Sequence, residues 1–207
     1  MNHLLQSLEN RVLMSATVAT LTADASAVAA ASANTKASFA SLKAVEGDLY
    51  YTVASDVKST STKSQKSANL KLNSALIHAD LTAEAKILAA ETVLSAVAKA
   101  GGIVSVALGK AATLHPTSAA VQKAITRETT VLNAAVAAKE LALSNAVTKY
   151  LGAINTVYSE VAIEDPSAAA DITTGEADVA ATSASYTATA GTIQTAVTQL
   201  TTDLATL

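Results

Sequence analysis

The 207-residue chain contains no cysteine, which excludes disulfide staples, thiolate metal sites and cysteine nucleophiles. Half of it is hydrophobic but only 3% is aromatic, so a core has to be assembled from Ala, Val, Leu and Ile with Phe39 as the single Phe. Its net charge is -3 with 15% charged residues, which leaves no basic face for phosphate contacts and excludes nucleic acid as a partner.

Ala is the strongest helix former, and only 7 Gly and 2 Pro interrupt the chain. Residues 1–16 have no basic n-region, and Glu9 and Arg11 break their apolar residues, so they do not read as an ordinary signal peptide. The next segment shows heptad spacing. Leu21, Val28, Thr35, Leu42 and Leu49 recur every seven residues, with Ala25, Ser32, Phe39, Glu46 and Val53 four residues on. That spacing predicts a helix over about 17 to 58, with Gly47 tolerated inside it. The polar run Ser59–Ser67 is the first candidate loop.

A second helix is expected over about 68 to 99. Leu70, Ile77, Leu81 and Leu88 form one side of it, and Ile87, Leu94 and Val97 lie beside them. Gly101-Gly102 is expected to end or bend this helix, and a short apolar helix from Ile103 to Ala112 to follow before His115-Pro116. A third helix is predicted over about 118 to 163, stopped by Asp165-Pro166. Its seam is Val136, Leu143, Tyr150 and Val157 with Glu140, Val147, Ile154 and Val161; Val121, Ile125 and Leu132 continue it upstream with a shift of phase. In the last helix Val179, Tyr186, Ile193, Leu200 and Leu207 repeat every seven residues, with Ser183, Ala190, Val197 and Leu204 as the second register. Thr173 and Glu176 offer a capping box at its start.

These elements predict an all-α fold: an elongated antiparallel bundle of about four long heptad-patterned helices, with residues 17–207 as the bundle domain and 1–16 as a separate N-terminal segment. The longest charge-free apolar stretch of interest, Ala100 to Gly109, has half of the roughly 20 residues that a membrane-spanning helix needs.

Helical bundles commonly hold two metal ions through Glu-x-x-His pairs. Here Ala75 and Ala112 stand where His78 and His115 would need Glu, so no metal ligands are assigned. Glu46 and Glu140 fall on seams, and Glu84 and Glu91 lie seven apart. They are read as sitting at the seam edge, or as fixing helix register through Lys86, Lys99 or Lys139, in preference to acting as an acid–base pair. No Gly-x-Ser-x-Gly is present, and Gly109-Lys110-Ala111 fails as a phosphate loop because Ser or Thr must follow the Lys. No catalytic residue, cofactor or small-molecule substrate is assigned. The apolar segment Ala100–Ala112 reads as a connection at one end of the bundle, or as a membrane or partner contact through Ile103, Val104, Val106 and Leu108.

One short stretch, Ser7 to Ala16, resembles the Leu-Glu-Pro-Arg-x-Leu-Leu sorting motif of exported and surface proteins of planctomycete-like bacteria. Leu8, Glu9, Arg11 and Leu13 match and Ser15-Ala16 follows, while Asn10 replaces Pro and Met14 replaces Leu. The resemblance covers about ten residues and implies export or association with the cell envelope. Together with the seams, it makes the expected function a non-enzymatic structural or interaction protein of a bacterial envelope or extracellular matrix, partnered by itself or other envelope proteins. The alternative is a membrane-active, pore-forming-like bundle that uses Ala100–Ala112.

Overall fold

The computed structural model describes the backbone of residues 2–58 and 62–207 and the side chains of residues 17–57 and 62–207. Five α-helices follow one another: α1 (Asn2–Lys58), α2 (Lys63–Leu70), α3 (Ile77–Leu114), α4 (Ala119–Glu164) and α5 (Ala169–Ala205). A π-helical turn, Lys71–Leu76, joins α2 to α3 without a break, so Lys63–Leu114 is one continuous helix and the described residues form an all-α bundle of four. Among the described residues there is no strand.

The four helices build two compact units. The first comprises Met1–Asn34, Thr92–Glu140 and Ala190–Leu207. Within it α1 and α3 are antiparallel, since Gly102 faces Ala25 and Gly109 faces Leu21. There α4 and α5 are antiparallel as well, with Asn133 bonded to Thr201 and Glu140 to Gln194. The second unit comprises Thr35–Glu91 and Leu141–Thr189. In it Lys43 meets Glu84 and Tyr50 meets Asn73, while Thr35, Phe39 and Leu49 of α1 meet Thr189, Tyr186 and Gly175 of α5.

Three of the four seams bury the residues that the heptads select. Leu21, Val28, Thr35, Leu42 and Leu49 of α1, Val136, Leu143 and Tyr150 of α4, and Val179, Tyr186, Ile193 and Leu200 of α5 are all buried. Removing such side chains from water stabilises a fold by about 1.5–3 kcal/mol each.

The continuous helix Lys63–Leu114 departs from the expectation in part: of the residues expected to line it, Ile87 and Leu94 are buried. Its core positions are Leu72, Leu76, Ala83, Ile87, Leu94 and Ala98, whereas Leu70, Ile77, Leu81 and Leu88 are exposed. The true seam keeps alternating steps of four and seven, but small residues hold much of it, so the bulkier neighbouring stripe looks more like a core in the sequence. Gly101-Gly102 does not end the helix. A Cβ at Gly101 would run into the Leu132 side chain, and one at Gly109 into Leu21. These glycines let neighbouring helices approach closely, and no separate helix exists over Ile103–Ala112.

Helix starts differ too. The second helix begins at Lys63 rather than near 68, because Thr62 and Gln65 form a reciprocal capping box: Thr62 Oγ1 accepts from Gln65 N and Thr62 N donates to Gln65 Oε1. The last helix begins at Ala169 after a 3-10 turn, Pro166–Ala168, capped by Asp165, whose Oδ1 accepts from Ser167 N. Thr173 is therefore interior; its hydroxyl donates to Ala169 O, and no capping box forms there.

Candidate functional site

In the second unit, α1 and α3 bring four charged side chains together. Lys43 and Glu46 are three residues apart on α1, and Asp80 and Glu84 four apart on α3, so each pair projects from one helix face. Lys43 Nζ lies 2.8 Å from Glu84 Oε2. Glu84 Oε1 and Asp80 Oδ1 are buried without a hydrogen-bond partner. Glu46 is 7% exposed. Burial, then the neighbouring Asp80 and Glu84, push its carboxyl up to about 7 against a smaller pull from Lys43. Burial and Glu84 raise Asp80 to about 6. The bond to Glu84 holds the Lys43 ammonium above its ordinary range. From α4, Tyr150 and Tyr158 are buried close enough to feel these carboxylates. Burial first and the carboxylates second push both phenols well above their usual range, so both stay neutral.

Beside this cluster, Glu46, Gly47, Tyr50, Tyr51, Leu76, Ile77 and Asp80 line a cleft of ≈ 210 Å³. A Cβ at Gly47 would meet nothing within 4 Å. The Tyr50 hydroxyl bonds Asn73 Oδ1 at 2.7 Å, which ties α1 to the π-helical turn, and its ring packs edge-on against Tyr51 with centroids 5.4 Å apart. Lys71, in the same turn, bridges Glu160 and Glu164 at 3.3 and 3.4 Å. π-Helical turns often coincide with functional positions because they widen the helix and shift its face.

Chemically, the cluster stores protons near neutral pH. Glu46 meets the pKa condition for an acid–base group. However, Glu84 is engaged by Lys43, and the nearby hydroxyls are neutral tyrosines. The acidic seam residues do hold helices together, through partners that differ from those expected. Glu84 pairs with Lys43, Glu91 Oε2 accepts from the Tyr186 hydroxyl at 3.0 Å, and Glu140 Oε1 accepts from Gln194 N at 2.9 Å. Lys86, Lys99 and Lys139 are not those partners. Among the described residues no group of three His, Asp or Glu is arranged to hold a metal ion. Gly109 and Lys110 lie inside α3, where the backbone N–H groups serve the helix and cannot cradle a phosphate.

A second feature of this unit is apolar. Leu70, Ile77, Leu81 and Leu88 are 69%, 46%, 63% and 42% exposed, and Tyr51, across the cleft from Ile77, is 73% exposed. Of the expected contact residues in the first unit, Ile103 and Val104 are exposed, while Val106 and Leu108 are half-buried. The side chains of the motif residues Leu8, Glu9, Arg11 and Leu13 lie outside the described residues. Spacing in the sequence singles out Glu46, Glu84 and the seam residue Tyr150 but not Asp80, Lys43 or Tyr158; the signal available was the i, i+3 and i, i+4 spacing of the charges on two seam-bearing helices.

No protein-family model, no curated protein and no solved structure matches the chain.

Proposed function

We propose that the protein is a non-enzymatic structural or interaction protein of a bacterial cell envelope or extracellular matrix, acting through helix packing. The observation that carries the reading is the apolar face of α2 and α3, where Leu70, Ile77, Leu81 and Leu88 stand in solvent although heptad-spaced residues ordinarily meet another helix. The interhelical acids support it, because Glu84, Glu91 and Glu140 are engaged between helices. The envelope part rests on the resemblance of Ser7–Ala16 to a sorting motif. Fractionation of the native host tests this: the chain is expected in the envelope or medium, and deletion of Met1–Ser15 is expected to retain it inside the cell. A full-length chain confined to the cytosol would end the reading.

A membrane-active bundle is the second reading. Lys63–Leu114 is long and apolar enough to cross a membrane by length and composition, with 33% of its most apolar window buried. The charge-free stretch Ala100–Gly109 is shorter than a span, but a spanning window tolerates a charge or two. Release of dye from phospholipid vesicles by the full chain would favour this reading, and intact vesicles would dismiss it.

A further inference from the structure

The cleft between α1 and α3 in the second unit holds a buried acid that no cation pairs. Glu46 lines this cleft and is more than nine-tenths buried. Among the described residues nothing donates a hydrogen bond to its carboxylate. Asp80 lines the cleft from α3, and its Oδ1 is buried without a hydrogen-bond partner. Lys43, the cation of this cluster, is committed to Glu84 at 2.8 Å and does not line the cleft. The other walls are aromatic or apolar, and the Tyr50 hydroxyl is already bonded to Asn73 Oδ1. We propose that this cleft binds a small organic cation, a protonated primary amine with a short apolar chain. Its ammonium donates to Glu46 and Asp80, and its chain lies against Tyr50, Tyr51, Leu76 and Ile77. The inference goes beyond the proposed function and does not rest on it.

Chemistry and size together select this class of ligand. Buried carboxylates without donors or a counter-charge are costly, and an ammonium supplies both at once. A divalent metal ion fits poorly, because two carboxylates among apolar walls fall short of the roughly six oxygens it needs. Among the described residues no group of three metal-ligating side chains occurs. At ≈ 210 Å³ the cleft equals about seven water volumes, which is small for a drug-sized pocket and suits a chain of about five carbons. Gly47 lines the same cleft, and a Cβ built there would meet nothing within 4 Å. Burial, Asp80 and Glu84 raise Glu46 to about 7, and burial and Glu84 raise Asp80 to about 6. An arriving ammonium would displace the protons that these groups hold. The titratable groups around them are Lys43 of α1, Glu84 of α3 and the neutral Tyr150 and Tyr158 of α4, with Glu176 of α5 acting on Tyr158.

Titration of the full chain with n-pentylammonium chloride, followed by NMR, tests the site. The amide signals of Gly47 and Tyr51 should shift and saturate at millimolar concentration or below. n-Pentanol keeps the chain without the charge and should give no saturable shift, and neither should sodium chloride at the same ionic strength. Tetramethylammonium carries the charge but cannot donate a hydrogen bond, so it should bind about tenfold more weakly. Glu46→Gln should weaken amine binding about tenfold or more. Gly47→Leu should abolish it by filling the cleft, with helical circular dichroism unchanged. Gly152→Leu, in α4 where a Cβ also meets nothing within 4 Å, should bind as the parent chain does. Affinity for the amine should rise between about pH 5 and about pH 8, as Glu46 and Asp80 lose their protons. No saturable shift with the amine overturns the proposal. So does an equal response to n-pentanol, sodium chloride or tetramethylammonium, or amine binding that survives both Glu46→Gln and Gly47→Leu.

Discussion

Glycine shows most directly how single positions divide between local and tertiary demands. None of the glycines has a positive φ, so each costs helix stability without relieving backbone strain. At Gly191 a Cβ would meet nothing within 4 Å. Gly191→Ala should therefore stabilise the fold by about 0.5–1 kcal/mol through helix propensity alone. At Gly175 the same Cβ would press into the Leu49 side chain down to its Cβ, which cannot swing aside as a methyl terminus can. Gly175→Ala should cost about 1–3 kcal/mol. Opposite shifts of the thermal midpoint are expected for the two variants, and shifts of the same sign would show that the Leu49 contact does not control Gly175. Sequence alone cannot make this distinction, because both glycines sit inside heptad-patterned helices and differ only in what the neighbouring helix places opposite them.

Among the elements, the last helix and the Lys63–Leu114 helix show where periodicity succeeds and where it misleads. In α5 the large apolar residues are the core, so Ile193, fully buried, and Thr195, exposed, are assigned to opposite faces by spacing alone. Ile193→Asp should destabilise by about 3–5 kcal/mol because it buries an unpaired charge. Thr195→Asp should stay within about 0.5 kcal/mol. Chemical denaturation measures both, and similar losses would refute the face assignment. In α3 the core is made partly of Ala83, Ala98, Gly102, Ser105, Gly109 and Ala112, and the bulkier Ile77, Leu81 and Leu88 lie outside it. Periodicity reports where apolar residues lie on a helix; which of two stripes is buried depends on how closely the adjacent helices approach.

At the scale of the molecule, seven acids among the described residues are raised, with desolvation the largest cause for each. Asp24 is raised to about 6 by burial and by a hydrogen bond with Asp203; Asp80 is also raised to about 6 and Glu46 to about 7, and Asp56, Glu128, Glu140 and Glu176 move upward as well. A carboxyl whose folded pKa lies above its unfolded value binds protons more tightly when folded. Its contribution is full below the unfolded pKa and is lost as pH rises through the folded one. Stability should therefore fall between about pH 4.5 and pH 7, and the thermal midpoint should be higher at pH 5 than at pH 8. Glu46→Gln should flatten that slope, most visibly near pH 7. A midpoint that rises across this interval would contradict the burial of these groups.

What the sequence determined by itself is the helical class, the end of α1, both limits of α4 and three of the four buried seams. Ala abundance, the scarcity of Gly and Pro, and seven-residue spacing act within one helix and need no knowledge of its neighbours. The tertiary structure alone decided which face of α3 is buried, that Gly101-Gly102 admits Leu132 in place of ending a helix, and that Glu46, Asp80 and Glu84 share one site with Lys43. It also decided the charge state of that site. Each of these depends on the distance and register between helices far apart in the chain, and desolvation by a neighbouring helix changes a carboxyl's proton affinity in a way that no local pattern encodes.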